Sequence, residues 1–123
     1  MAELPHFFPD PKAFFFQGCP SFHFVMDGNG RIGDFGFAPG TLCSSSPQLF
    51  LGKNLFEVFP FYIAKMVSET AVQVVHMQSE TSFEFMVPTA TGSLCFEATL
   101  FSFQRQLIMG LVKNISGRKE TEE

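Results

Sequence analysis

Residues 22–32 of the chain read FHFVMDGNGRI, and this stretch decides the fold. Phe22, Phe24 and Met26 recur at every second position, which is the period of a β-strand with one buried face. Residues 27–30 have the composition of a hairpin turn. The stretch therefore predicts a strand, a tight turn and a returning antiparallel strand.

The returning strand is predicted over 31–37, and the pattern changes after it. Residues 38–54 are rich in Pro, Gly and Ser, which predicts a loop with at most short helical turns. Asn54 is predicted to cap a short helix that ends at Pro60. From 61 to 78, apolar residues recur at three- and four-residue steps, which predicts one long amphipathic helix.

Three further strands are predicted over 82–87, 94–103 and 106–113. The last strand is apolar on both faces, so it is expected to be covered on both sides. The domain's own core covers one side, and the N-terminal cap, another subunit or both cover the other. The order of elements predicts an α+β domain with a five-stranded antiparallel sheet, one long helix and small helices on one face, and an N-terminal cap.

The chain divides into three segments. Residues 1–21 form the N-terminal cap segment, which contains one or two helical turns that end at Gly18. Residues 22–116 form the domain. The charged residues 117–123 are predicted to begin a C-terminal signalling helix or a linker.

The composition narrows the class of function. A chain of 123 residues makes one domain, and its 46% of hydrophobic residues excludes intrinsic disorder. A net charge of −4 and the lack of a basic run argue against a nucleic-acid partner. The chain has 18 phenylalanines, 1 tyrosine and no tryptophan, more rings than a small core needs, which indicates a surface that pairs with another molecule.

The same composition argues against several sites and locations. No apolar stretch is long enough for a membrane span, and no signal peptide is evident. Cys19, Cys43 and Cys95 are too widely spaced for a zinc site, which favours reduced thiols and a cytoplasmic protein. No Ser-His-Asp set or pair of carboxylates is visible, so the domain is not expected to be an enzyme.

Three segments, in order and at matching spacing, resemble the PAS domain family. Residues 24–32 resemble the first PAS hairpin, and residues 51–56 (LGKNLF) resemble the segment before the long helix. Residues 112–119 (VKNISGRK) resemble the end of the last strand, where it passes into the signalling helix of histidine kinases and cyclases. The resemblance covers most of the chain and implies a PAS fold that passes a signal to a C-terminal output domain.

A narrower resemblance lies at residues 16–27 (FQGCPSFHFVMD). This stretch looks like the opening of the heme-NO-binding-associated domain, the PAS-like dimerisation domain of soluble guanylate cyclases. That domain also occurs in bacterial histidine kinases, beside heme-based NO sensors. Ser21 stands where the family opening has a second proline. The resemblance implies a homodimer-forming relay that works beside a gas sensor.

The PAS resemblance also points to a signal relay at Asn114 and Ser116. These residues stand where the family has Asp and Thr. The Ser116 hydroxyl can still cap an outgoing helix, but the missing carboxylate puts a charge-based relay in doubt.

A dimer interface is predicted from the surplus phenylalanines, the histidine between two of them and the doubly apolar last strand. Its members are Phe7, Phe8, Phe14, Phe15, Phe16, His23, Phe101, Phe103, Ile108 and Val112. We predict that Phe101→Glu or Ile108→Glu weakens the dimer while the domain stays folded. A homodimer with two-fold symmetry requires a self-complementary surface, because both chains use the same patch.

No cofactor or metal is predicted. His76 is the one candidate heme ligand, because it lies late on the long helix that carries the proximal histidine in heme-binding PAS domains. The alternative is a surface histidine at a helix end, where the helix dipole favours it.

The leading hypothesis is a cytoplasmic PAS module of a sensor histidine kinase that dimerises and relays a signal. Its partners are a second copy, a C-terminal kinase output domain and a heme-based NO or O2 sensor. The alternative is a sensor domain that binds heme, flavin or an apolar metabolite in its core.

Overall fold

The elements occur in the order that the sequence predicts. The computed structural model describes residues 14–18, 21–37, 47–89, 92–104 and 106–116. The helices are α1 (Phe14–Gln17), α2 (Leu55–Val58) and α3 (Phe61–Met77), with a 3-10 turn at Pro47–Leu49. The strands are β1 (Ser21–Met26), β2 (Ile32–Phe37), β3 (Thr81–Thr89), β4 (Gly92–Phe103) and β5 (Leu107–Asn114).

The strands form one antiparallel sheet in the order β2-β1-β5-β4-β3. The last strand of the chain therefore lies in the middle, between β1 and β4. One face of this central strand packs on the core, and its other face belongs to the opposite surface of the sheet. The predicted α+β fold with five antiparallel strands is confirmed.

The core lies between one face of the sheet, here called the inner face, and the helices. Phe24, Phe96 and Leu100 are buried on this face. The long helix α3 packs on it through one stripe of five buried residues, namely Ile63, Ala64, Val67, Ala71 and Val74. The predicted amphipathic helix is confirmed, although its exposed side carries apolar residues such as Phe61, Val72 and Met77 beside the polar ones.

Close packing at the centre of the sheet requires a glycine. Gly110 of β5 pairs with Phe24 of β1, and the ring of Phe24 lies directly over it. A Cβ atom at Gly110 would collide with this buried ring. The absence of a side chain here allows β5 to carry a large aromatic neighbour on the inner face.

Two of the sequence segments hold each other in place. The Asp27 carboxylate accepts hydrogen bonds from the backbone N–H groups of Asn29 and Arg31, at 2.9 and 3.0 Å, and so closes the β1–β2 turn. The Asn54 side chain donates to the Asn29 carbonyl at 2.8 Å. The backbone N–H of Leu55 donates to the Gly30 carbonyl at 2.9 Å. The hairpin and the segment before α3 are thus one hydrogen-bonded unit.

Asn54 also begins α2 with a complete capping box. Its Oδ1 accepts from the N–H of Phe56 at 3.0 Å, and Glu57 Oε1 accepts from the N–H of Asn54 at 2.8 Å. The predicted cap at Asn54 is confirmed.

Asn54→Ala is expected to lower the free energy of unfolding by about 1–2 kcal/mol, because it removes both the cap and the bond to the hairpin. Urea denaturation measures this loss. Asn54→Asp is the matched control: it keeps an acceptor for the cap and loses the bond to the Asn29 carbonyl, so its loss should be smaller. A larger loss for aspartate than for alanine would contradict this assignment.

Three details differ from the sequence expectations. α3 ends at Met77, because Gln78 adopts a left-handed backbone with φ 54° and caps the helix. β3 is longer than predicted, at Thr81–Thr89. Phe56, which the apolar pattern predicts to lie in the core or to line a small pocket, is 39% exposed, because α2 buries Leu55 and turns the next residue outward, against Phe61. Among the described helices, none has the length and apolar character needed to cross a membrane.

Candidate functional site

The face of the sheet opposite the helices, here called the outer face, carries a continuous apolar patch. Strand alternation and register place six side chains there. These outer-patch residues are Val25 of β1, Phe101 and Phe103 of β4, and Leu107, Met109 and Leu111 of β5. They are half-buried, except Leu111, which is 45% exposed. The described helices that contribute to the core pack on the inner face, so none of them covers this patch.

One end of the outer face is polar. Lys113 lies 3.7 Å from Glu97 across the β4–β5 pair, measured between Nζ and Oε1. The hydroxyls of Ser82 and Thr99 are hydrogen-bonded at 2.8 Å. The outer face is therefore apolar toward the β4–β5 turn and carries both signs of charge toward the end of β5.

His23 lies on the outer face, as the alternation of β1 predicts. Its ring covers Gly36 of β2: a Cβ atom there would lie 2.6 Å from Cε1 of His23. Beside it, His23 pairs in register with Leu111 of β5. The histidine thus borders the apolar patch, and the small residue on β2 makes room for the imidazole.

The predicted dimer interface is wrong for four of its ten residues. Ile108 and Val112 point to the inner face, where they are 1% and 4% exposed within the core of a single chain. Phe15 and Phe16 are also core residues, because α1 packs on the inner face and not the outer one. Phe15 and Phe16 join α1 to rings of the sheet, and all four side chains are buried within one chain, closed to a partner.

The other predicted interface residues fall into two groups. His23, Phe101 and Phe103 lie on the outer face, where a partner can reach them. Phe7 and Phe8 lie outside the described residues, as does the side chain of Phe14. Whether any of them contacts a second copy stays a prediction.

Leu107, Met109 and Leu111 were not predicted as site residues, because a strand that is apolar on both faces does not show which face is buried. The signal that separates the two faces is the register with β1. Val112 pairs with Phe22, which the hairpin pattern already placed in the core. Directly paired residues share a face of the sheet, so Leu111 and its alternate neighbours must lie outside.

The chain leaves the sheet through a tight set of hydrogen bonds at the end of β5. The N–H of Ile115 donates to the Cys95 carbonyl at 2.8 Å. The Ser116 hydroxyl accepts from the Cys95 N–H at 2.8 Å, and the N–H of Ser116 donates to Asn114 Oδ1 at 2.8 Å. The Asn114 side chain therefore accepts the first hydrogen bond of the outgoing turn, as the Asp that the PAS family has at this position could also do. The Ser116 hydroxyl instead joins the end of β5 to β4. The predicted relay residues lie together; their role stays a prediction.

The inner face holds phenylalanines where the alternative hypothesis expected a ligand. Phe16 of α1 lies edge-on to Phe96 and Phe85, with ring centroids 5.2 and 5.6 Å apart. It also contacts Phe22 and Phe59 at 5.8 and 5.7 Å. The cap therefore fills the centre of the core with rings of its own chain.

A separate cleft of about 350 Å³ opens at one end of the domain, between α3, the β1–β2 turn and β5. Apolar side chains line its floor, including Met26, Leu55 and Ile108. His76, the candidate heme ligand, is an exposed residue at the rim of this cleft. Among the described residues, no group of three or more His, Cys, Asp or Glu side chains is placed to hold a metal ion.

Comparison with solved structures identifies the fold. A domain of an HTR-like protein from Haloarcula marismortui matches with a TM-score of 0.59 and 17% identity, over 78% of this chain and 98% of that one. The PAS domain of a protein from Colwellia psychrerythraea matches with a TM-score of 0.61 and 17% identity, over 80% and 88%. A sensory box sensor histidine kinase from Vibrio cholerae matches with a TM-score of 0.59 and 10% identity, over 83% and 87%.

The chain has the PAS fold. No protein-family model matches it, and the search of curated proteins found no match. The resemblance to the heme-NO-binding-associated type therefore rests on the sequence stretch around His23 alone.

Proposed function

We propose that this domain is a PAS signalling module that forms a homodimer through its outer face. The observation that carries the proposal is the apolar outer patch on β1, β4 and β5, which the described helices leave uncovered. Apolar patches of this kind, rimmed by polar groups, are typical of protein–protein contacts. Leu111, at the end of the patch next to His23, is nearly half exposed.

A second copy of the chain is the occupant that fits the charges. The polar end of the outer face carries Lys113 beside Glu97, so a two-fold arrangement can bring a lysine of one copy near a glutamate of the other. A partner with one dominant charge, such as a nucleic acid, would meet a surface of mixed sign on a chain with net charge −4. Self-association satisfies both the apolar and the charged part of the face.

The proposed relay runs through β5. Leu111 lies on the outer patch, and the hydrogen bonds that fix the chain exit begin at Asn114, at the end of the same strand. A shift at the dimer interface therefore moves the strand from which residues 117–123 continue. In this proposal the domain catalyses no reaction, and a histidine kinase output domain receives the signal at the C-terminal side.

A heme-based NO sensor is the proposed upstream partner. Support comes from the FHF triplet at 22–24, which lies in β1. Phe22 and Phe24 point into the core, and His23 lies at the border of the outer patch. The residue that distinguishes this opening is thus available at the proposed interface.

Phe101→Glu and Leu111→Glu are expected to shift the chain from dimer to monomer. Each places a carboxylate in the apolar patch, and two-fold symmetry places it in the interface twice. Light scattering coupled to size-exclusion chromatography, over a concentration series, measures the mass. The dissociation constant should rise by about thirtyfold or more, since losses of about 2 kcal/mol or more are typical of residues that dominate an interface.

Phe61→Glu is the matched control for Phe101→Glu. Phe61 is 67% exposed on α3, on the helical side of the domain, and receives the identical substitution. Its dimer should be as stable as the wild-type dimer. A wild-type chain that is monomeric at all concentrations, or a dimer that survives both outer-face substitutions, would refute the proposed interface.

A further inference from the structure

We infer that Tyr62 and Pro88 close the edge of the sheet at β3 against the addition of a strand from a second copy of the chain. In the described part of the chain β3 is the last strand on this side of the sheet, and its 9 residues make an edge about 30 Å long. A long edge strand is a template for pairing between chains. The inference does not rest on the proposed dimer, because it concerns the edge of the sheet and not the outer face.

The backbone groups of Met86 point away from the sheet. Met86 pairs with Cys95 of β4, yet the N–H of Cys95 donates to Ser116 and its carbonyl accepts from Ile115, both beyond β4 on the side of β5. The two residues of an antiparallel pair either bond each other or both point outward. The Met86 carbonyl therefore faces the edge, and residues at every second position of β3 share this direction.

Two side chains alter this edge at neighbouring positions. The Tyr62 hydroxyl of α3 donates to the Met86 carbonyl at 2.6 Å, so the helix engages the acceptor that an added strand would use. Pro88 follows two residues later in β3, so the N–H that proline lacks is missing on the same edge. An incoming strand would thus find one acceptor occupied and the next donor absent. Prolines and covering groups of this kind are typical of edges that resist pairing.

The other edge of the sheet, at β2, is also engaged by groups of the same chain. The N–H of Ile32 donates to the Lys53 carbonyl at 2.8 Å, and the Ile32 carbonyl accepts from the N–H of Gly52 at 2.7 Å. The segment before α2 therefore covers the start of β2 as a further strand would. Both edges have backbone groups that are bonded within the chain, which supports a general exclusion of edge-to-edge pairing.

A second copy is the strand donor that the β3 edge has to exclude, because every copy carries the same edge. A two-fold axis through the sheet would pair β3 with the β3 of another copy in the antiparallel sense, as in the neighbouring pairs of this sheet. Phe83, half-buried at this edge and packed against the core, would gain further burial in such a pair. The edge thus has a driving force for pairing that Tyr62 and Pro88 oppose.

The double variant Tyr62→Phe/Pro88→Val tests the inference in the 123-residue chain. It removes the hydroxyl, restores the N–H and keeps a ring on α3. Leu111→Glu is included in every sample, because it separates the proposed outer-face dimer and leaves the edge untouched. The double variant is expected to have at least double the mass of its Leu111→Glu parent in light scattering at high concentration. Hydrogen exchange in the β3 peptide should slow as the mass rises, since pairing protects its amides.

Ser82→Val is the matched control for Pro88→Val. Both positions are exposed on β3 and receive the identical side chain, but only the change at Pro88 adds an N–H. The control should keep the mass of the parent. If the double variant fails to fold, Pro88→Val alone replaces it, because it changes an exposed side chain and leaves the Tyr62 bond in place.

A folded double variant with the mass and the β3 exchange of its parent would overturn the inference. Equal association of Ser82→Val would also overturn it, because added apolar surface would then explain the effect. The proposed dimer is judged separately, by the mass of the wild-type chain against that of the Leu111→Glu parent.

Discussion

Phe16→Ala is expected to lower the free energy of unfolding by about 3–5 kcal/mol, the range found when a buried phenylalanine is truncated in a close-packed core. Phe16 is 1% exposed and contacts rings from β1, β3 and β4 and from the turn after α2. Its removal leaves a cavity that these elements, held by the sheet hydrogen bonds, can close only in part. Urea denaturation followed by far-ultraviolet circular dichroism measures the loss.

The effect is notable because Phe16 belongs to a helix of only four residues, α1. A helix of this length has no stability of its own and is held by its packing. Phe61→Ala is the control: Phe61 is exposed and should lose well under about 1 kcal/mol. A loss of that small size at Phe16 would show that the cap is an appendage and not a part of the core.

Ile108→Glu and Leu111→Glu are expected to have opposite effects, although they place the same residue three positions apart on one strand. Ile108 is 1% exposed under α3 and the hairpin, so glutamate there should cost at least about 4 kcal/mol and leave much of the chain unfolded. Leu111 faces outward, so glutamate there should leave the fold intact and separate the proposed dimer. Thermal unfolding and the mass in solution, measured on both variants, give the two readouts.

The burial of Ile108 overturns the sequence-based prediction that Ile108→Glu would leave the domain folded. A folded, monomeric Ile108→Glu variant would mean that the inner and outer faces of β5 had been exchanged. An unfolded Leu111→Glu variant would mean the same. A folded Leu111→Glu variant that still dimerises would instead refute only the interface, since the face assignment does not depend on it.

The fold was predictable because local patterns and global structure agree in this chain. The two-residue period of 22–26, the hairpin turn and the helical period after Pro60 each determine one element by itself. The Asn54 cap was predictable for the same reason, because a capping side chain binds backbone groups in the first turn of its own helix.

The face of β5 that meets the core was not predictable from the strand itself. An apolar residue stands at most positions of 107–112, so the period of two carries no information about direction. The pairing of Val112 with Phe22 decides it, and pairing is a property of the sheet. The face on which α1 packs was not predictable for a similar reason. The rings of Phe15 and Phe16 could be buried against either apolar face of the sheet.

The cleft had no sequence signature at all. Its walls come from α3, the β1–β2 turn and β5, which lie up to 80 residues apart in the chain. Small residues such as Ala71 and Gly28 have many uses, and only their meeting in space makes an opening. His76 was noticed for its place on the helix, yet its position at the rim of an apolar cleft depends on the packing of that helix.

The hydrogen bond from Tyr62 to β3 gives the domain a built-in optical reporter. The Tyr62 hydroxyl donates to the Met86 carbonyl at 2.6 Å and so joins the first turn of α3 to the edge of the sheet. Because the chain contains 1 tyrosine and no tryptophan, this phenol is the only source of tyrosine emission, and no tryptophan emission overlaps it. Any event that separates the helix from the sheet changes the environment of that phenol, and a label-free fluorescence titration can follow it.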